Sequence, residues 1–312
     1  MLKKVTNEFF GRPKGLIIDN SYDPYVLHSL IKYYKEEKIE FLHSQDNDLS
    51  YLKCFENIKF LSINNESENF TELNNLKNLK GLRLFSSSLK NIEREIIEKL
   101  EFLEIIFDDN TTVDFSMFKS LKHLCINHFP FTKPNIINGL QTLEFSDCKK
   151  IISLNFLESI NSIKKIKLSN LPKLQDVNCL KRISDSLEII DILDCKKINN
   201  IDEVLETLIN LRYVQIITIT TDSKMKLSSL SFIDSLPKLE SFATNYKIED
   251  GNLNWLLRLK DANITAFYRN YNLRDKDLPH ISVPLDNNGV VKRVRLDSLE
   301  LGKEDKRIIW LN

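Results

Sequence analysis

Leu143-Glu144-Phe145-Ser146-Asp147-Cys148-Lys149-Lys150-Ile151 is matched further along the chain by Ile190-Asp191-Ile192-Leu193-Asp194-Cys195-Lys196-Lys197-Ile198. Five consecutive residues, Asp-Cys-Lys-Lys-Ile, recur, and in both copies they follow an apolar-polar-apolar alternation. A coincidence of that length is improbable, so the chain reads as an array of internal repeats. Outward from this pair, the frame apolar-x-x-apolar-x-apolar returns at Ile58–Ile63, Leu79–Leu84, Phe102–Phe107, Leu121–Ile126, Leu140–Phe145, Ile163–Leu168, Leu187–Ile192 and Leu211–Ile216. Weaker copies stand at Leu239–Thr244, Ala262–Phe267 and Val291–Leu296, and a degenerate one at Ile39–Ser44. Starts lie roughly 19 to 24 residues apart, widening to about 29 near the C-terminal end.

The alternation within each copy has the period of a strand with one buried face. So short a strand is not stable alone and must pair with its neighbours in a parallel sheet. Apolar residues between strands, such as Leu73 and Leu76, Leu154, Leu157 and Ile160, or Phe232, Ile233 and Leu236, recur at three or four residues. That spacing predicts short helices or 3-10 turns closing the core from the other side. End coils would expose core and need caps. Leu16-Ile17-Ile18 reads as a strand, and Asp23-Pro24 as the start of a helix whose apolar face includes Val26, Leu27, Leu30, Ile31 and Tyr34. The expected organisation is one domain: a strand-plus-helix cap at 1–38, about 11–12 coils over 39–300, and a C-terminal cap at 301–312.

The pattern resembles the leucine-rich repeat family, L-x-x-L-x-L-x-x-N/C-x-L. The Asn/Cys position is read at Asn47, Asn110, Cys148, Cys195 and Asn270, and is occupied elsewhere by Glu66, Ser87, Phe129, Leu171, Ile219, Lys247 and Leu299. The resemblance implies an α/β solenoid, a horseshoe with a concave parallel sheet and short helices or 3-10 turns on the convex side. It implies the fold far more than the activity.

Composition excludes several classes. Lys+Arg and Asp+Glu are both 44, so no net charge draws the chain to nucleic acid or an anionic membrane. Seven glycines in 312 residues leave little for phosphate-cradling loops. No run of about 18 apolar residues and no apolar leader are present, so neither a membrane span nor a secretory signal is expected. Five cysteines without tight spacing fit a reducing cytoplasm better than a disulfide framework. Nucleophile, P-loop, zinc-protease and dinucleotide motifs are absent. His123, Cys125 and His128 are too few to specify a metal. The expectation is no enzyme, no cofactor and no metal.

What remains is the surface formed by side chains on the outer side of the strands. The protein-binding candidates are Phe85, Glu104, Ile106, Asp108, His123, Glu144, Asp191, Tyr213, Ile217, Tyr246, Tyr268, Arg293 and Arg295. Apolar anchors ringed by charge are the composition of a protein interface. Acidic residues gather mid-array, including Asp109, Asp147 and Asp194, which predicts attraction to a basic partner and repulsion of phosphate. The sequence thus predicts a cytoplasmic, monomeric, non-enzymatic protein-binding scaffold. The resemblance to the family implies a more specific form, an immunity protein that neutralises a cognate toxin with a basic domain. The alternatives are an exported adhesin of internalin type and the substrate-recognition part of an effector.

Overall fold

Leu49, Leu52, Phe55, Ile58, Leu61 and Ile63 are spaced by three residues until the last step, which is two, and all six are buried. The three-residue period is that of a 3-10 helix, whose side chains eclipse at i and i+3. Leu52 N–H donates to Leu49 O at 2.9 Å, Phe55 N–H to Leu52 O at 2.9 Å and Ile58 N–H to Phe55 O at 3.1 Å. The closing two-residue step turns the chain into a strand. Leu154, Leu157, Ile160, Ile163, Ile166 and Leu168 repeat the device, all buried. Each coil therefore seals one compartment from two sides, with about 1.5–3 kcal/mol per fully buried aliphatic side chain.

The computed structural model describes residues 4–5, 15–18, 24–63, 68–108, 110–219, 225–264 and 268–279. The chain divides into two compact units, Met1–Pro130 and Phe131–Asn312.

In the first unit, β1 (Lys4–Val5) pairs antiparallel with β2 (Gly15–Ile18). Helix α1 (Pro24–Glu37) follows, and its Tyr34 is buried, with its hydroxyl accepting from Asn57 N–H at 2.9 Å. Parallel pairing then runs from β2 through β3 (Phe41–Ser44), β4 (Phe60–Ile63), β5 (Gly81–Phe85) and β6 (Phe102–Ile106) to β7 (His123–Asn127). Between β5 and β6 lies α2 (Arg94–Lys99). The other connections described there are 3-10 turns, at Ser50–Cys54, Phe70–Asn75 and Phe115–Met117, with Ser86–Asn91 preceding α2.

In the second unit the parallel order is β8 (Thr142–Ser146), β9 (Lys165–Ser169), β10 (Ile189–Leu193), β11 (Tyr213–Ile217), β13 (Ser241–Thr244) and β15 (Asp261–Ile264). Helix α3 (Ile201–Leu205) precedes β11. A two-stranded parallel sheet pairs β12 (Lys226–Leu227) with β14 (Lys247–Ile248). Ala262 N–H donates to Pro279 O at 2.8 Å on β15. Both units have the leucine-rich repeat solenoid architecture: short, in-register parallel strands joined mainly by 3-10 turns.

The strands end in a corner. His128, Asp147, Asn170 and Asp194, each one residue past its strand, adopt positive φ of 57°, 57°, 52° and 55°. Asp and Asn tolerate this left-handed conformation better than most residues. The corner is fastened across rungs, with Asp147 N–H on Ser169 O at 3.0 Å, Asn170 N–H on Leu193 O at 2.8 Å and Asp194 N–H on Ile217 O at 2.8 Å.

Two coils have a different frame from the sequence reading. Leu103 pairs with Leu82 and Leu124, so that coil begins at Leu100 and not at Phe102. Ala262 pairs with Phe242 and Ile264 with Thr244, so the later coil begins at Leu259. A two-residue slip preserves the in-out alternation; the three-residue slip at Ala262 inverts it, and Ile264, expected outside, is 2% exposed. The repeat at Val291–Leu296 and the cap at 301–312 lie outside the described residues.

Candidate functional site

In-register parallel strands stack their outward side chains in columns, one rung about 4.8 Å from the next. In the first unit the leading column is aromatic: Phe41, Phe60, Gly81, Phe102, His123. Gly81 puts no side chain between its neighbours, and the rings of Phe60 and Phe102 meet across it with centroids 5.6 Å apart, edge to face. His123 stacks on Phe102 at 4.2 Å. Phe41 and Phe60 are buried.

The middle column is polar: His43, Ser62, Arg83, Glu104, Cys125. His43 Nδ1 lies 3.0 Å from Ser62 Oγ, and Arg83 Nε 3.1 Å from Glu104 Oε1. Burial, with the Arg83 charge added, holds the His43 imidazolium below its ordinary pKa. The third column holds Phe85, Ile106 and Asn127, all half-buried. Beyond the strand, Asp108 accepts from Ser86 Oγ at 2.9 Å, Ser87 N–H at 3.2 Å and Ser87 Oγ at 2.6 Å. Burial pushes its carboxyl up, but these bonds outweigh it and the pKa falls below the usual carboxylate value. Asp108 thus fastens two coils together.

In the second unit the leading column is Thr142, Lys165, Ile189, Tyr213, Ser241, Asp261, and the middle one Glu144, Lys167, Asp191, Gln215, Ala243, Asn263. Lys165 Nζ sits 3.0 Å from Glu144 Oε1 with both side chains largely buried, and Gln215 Nε2 donates to Asp191 Oδ1 at 3.0 Å. The third column is Ser146, Ser169, Leu193 and Ile217, all half-buried, and Ile219 just beyond is 73% exposed.

The outward positions are more enclosed than the sequence reading supposed. Asp191 at 4% and Tyr213 at 4% exposure are buried, because a side chain within a column has a neighbour above and below it. Arg212 also lies over the Tyr213 ring at 5.3 Å. Tyr246, 3% exposed, follows β13 and packs inward, its N–H bonded to Thr244 Oγ1 at 3.0 Å. Tyr268 is half-buried beyond β15, with its ring 5.5 Å from Tyr271 and the Lys247 ammonium 5.8 Å from its centre. Arg293, Arg295 and Asp109 lie outside the described residues.

The acidic residues of this face are held by neighbouring side chains. Glu104, Asp108, Glu144 and Asp191 each bond within the sheet or its corner. Asp147 accepts from Asn170 Nδ2 at 2.5 Å, and Asp194 from Ile219 N–H at 3.3 Å with Lys196 Nζ at the same distance. Sequence reasoning saw the carboxylates but not the rung opposite each. Among the described residues no group of three His, Cys, Asp or Glu could hold a metal ion, and no helix is long and apolar enough to cross a membrane. Burial pushes the Cys179 and Cys195 thiols up to about 12, so neither is a ready nucleophile.

No protein-family model matches the chain, and no curated protein sequence matches it. Among solved structures, one of the Toll–Spätzle complex of Drosophila is similar at 13% identity with a TM-score of 0.45. The match covers 75% of this chain and 30% of that one, so this chain spans less than a third of its neighbour's length. The strand register and the three-residue period themselves define the leucine-rich repeat architecture.

Proposed function

We propose that the chain is a non-enzymatic protein-binding scaffold that docks its partner on the third outward column of its strands. Phe85 and Ile106 face one another on adjacent rungs of the first unit, as do Leu193 and Ile217 in the second. These apolar side chains are half-buried, while Arg83 and Glu104 beside the first pair are tied to each other and Asp191 beside the second accepts from Gln215. That contrast carries the reading: water gains least where apolar surface is left open, and such positions anchor interfaces. A cytoplasmic monomer remains the setting proposed from the sequence.

The more specific form, an immunity protein neutralising a toxin, stays a proposal. Its motive is the acidic face, of which Glu104 and Glu144 are paired with Arg83 and Lys165 while Asp108 and Asp191 bond to neutral side chains and keep their charge. An exported adhesin or a substrate-recognition module would use the same column and differ in location or in an attached activity.

The test is affinity capture from the native source with the full chain and two variants, Phe85→Ser/Ile106→Ser and Leu193→Ser/Ile217→Ser. A specific protein retained by the parent and lost by at least one variant, with circular dichroism unchanged, supports the reading. Retention by both variants, or turnover of a substrate by the purified chain, overturns it.

A further inference from the structure

Most charges flanking the strands are matched between neighbouring rungs. In the first unit Lys59 pairs with Glu40, and both Lys80 and Lys122 with Glu101 at 3.0 Å. In the second, Glu188 lies between Lys164 and Arg212 at 3.7 and 4.0 Å, and Glu240 between Arg212 and Lys260 at 2.6 and 2.7 Å. The repeated Asp-Cys-Lys-Lys-Ile segments depart from this rule. They lie in the corners after β8 and β10, and the corner after β9, Asn170-Leu171-Pro172-Lys173, lies between them. Because the three strands are in register and their corners are bonded rung to rung, Lys150, Lys173 and Lys197 occupy one column, with Lys149 and Lys196 beside it. All five are exposed. Lys196 reaches Asp194 at 3.3 Å, whereas among the described residues Lys149, Lys150, Lys173 and Lys197 make no ion pair. The two aspartates of these corners are engaged, Asp147 by Asn170 and Asp194 by Lys196 and Ile219 N–H.

We infer that this lysine corner of the second unit is a docking site for an acidic polypeptide segment of the partner. The inference rests on the protein-binding reading and supplies the partner's chemistry, opposite in sign to that expected from sequence. Charge complementarity is the first argument: five lysines on three adjacent rungs outnumber the two aspartates, Asp147 and Asp194, of the same corners and leave them net positive. The make-up of the patch is the second. It holds no arginine to fork onto a phosphate and no aromatic ring to stack a base, the two devices of nucleic-acid recognition. It does hold Ile152, 50% exposed and two residues from Lys150, which suits a peptide side chain better than a phosphate. The third is spacing. Lysines on rungs about 4.8 Å apart, with flexible four-carbon stems, can meet carboxylates on alternate residues of an extended strand, about 6.8 Å apart.

The experiment measures binding of the full-length chain to a fluorescein-labelled octaglutamate peptide by anisotropy, at low and at high salt. The reversal Lys150→Glu/Lys173→Glu/Lys197→Glu should weaken binding about tenfold or more, as expected for losing three exposed ion pairs. Lys35→Glu/Lys53→Glu/Lys90→Glu makes the same charge change on exposed lysines of the first unit and should leave affinity within about twofold. The neutral set Lys150→Gln/Lys173→Gln/Lys197→Gln should fall between, which guards against a folding defect in the reversed protein. Equal loss in the corner and control reversals, or no loss in either, overturns the inference. So does tighter binding of oligothymidylate or of phosphatidylserine vesicles than of the peptide with the same dependence on the corner lysines. If the corner fails while the Ser variants of the apolar column still lose a captured partner, only the present inference falls. If the apolar column fails too, the protein-binding reading falls with it.

Discussion

Replacing Glu144 by alanine tests whether the outward face of the second unit is held together by its own charges. Lys165 is only 7% exposed and its ammonium lies 3.0 Å from the Glu144 carboxylate, its one ion pair among the described residues. At an effective dielectric near 20 two unit charges at that distance attract by about 5 kcal/mol before desolvation is subtracted. Removing one partner of a fully buried pair costs about 3–5 kcal/mol, because the other charge is stranded. The Glu144 side chain keeps 14% of its surface in water, so the lysine can partly rehydrate, and a cost of about 2–3 kcal/mol is expected. Glu144→Gln keeps an acceptor for the ammonium and should cost about 1 kcal/mol. The double change Glu144→Leu/Lys165→Met removes both charges and should return to within about 1 kcal/mol of the parent. Urea unfolding followed by Trp255 fluorescence, in a Trp310→Phe background, reports the second unit. A cost for Glu144→Ala below about 0.5 kcal/mol refutes the reasoning, as does a double variant less stable than its two singles combined.

Three further outcomes are expected. With its folded pKa lowered, Asp108 contributes stability that is present above the ordinary carboxylate value and lost as pH falls through the folded one; Asp108→Asn should therefore flatten the acid limb of a melting profile, and an unchanged limb would show the Ser86–Ser87 clasp to be idle. Cys54 is partly exposed and the other four thiols are buried, so Ellman's reagent at pH 8 should react quickly with at most one cysteine in the native chain and with five in guanidinium; two fast thiols would contradict the packing. Gly81→Val should force the Phe60 and Phe102 rings apart and cost about 1–3 kcal/mol, measured by thermal melting, whereas a neutral result would mean the aromatic column does not close across that rung.

Much of the fold is legible in the sequence because its signal is local and repeated. Leu82 and Leu84 alternate, Leu73, Leu76 and Leu79 precede them at intervals of three, and the structure has a strand and a 3-10 turn there. The two misplaced frames have one cause. Phe102 and Ala262 each begin a pattern acceptable on its own, and only the preceding runs, Ile97-Leu100-Leu103 and Leu253-Leu256-Leu259, decide between registers. Phe85, Ile106 and Ile217 stand half-exposed on the face the alternation assigns them. Asp191 and Tyr213 do not, because exposure within a column depends on the rungs to either side, and alternation along one strand carries nothing about those. The same blindness made the carboxylates look free: Glu144 finds Lys165, and Glu104 finds Arg83, each 21 positions away in sequence and one rung away in space. The lysines of the duplicated segment are legible in the sequence, but their alignment in one column depends on the register of β8, β9 and β10.

β15 is the last strand among the described residues. At β15 the amide of Ala262 is taken by the carbonyl of Pro279, a residue that can accept a hydrogen bond but has no N–H to offer the next strand. The proline thus occupies one donor of β15 while bringing no donor of its own, so a strand hydrogen bond is made there in one direction only.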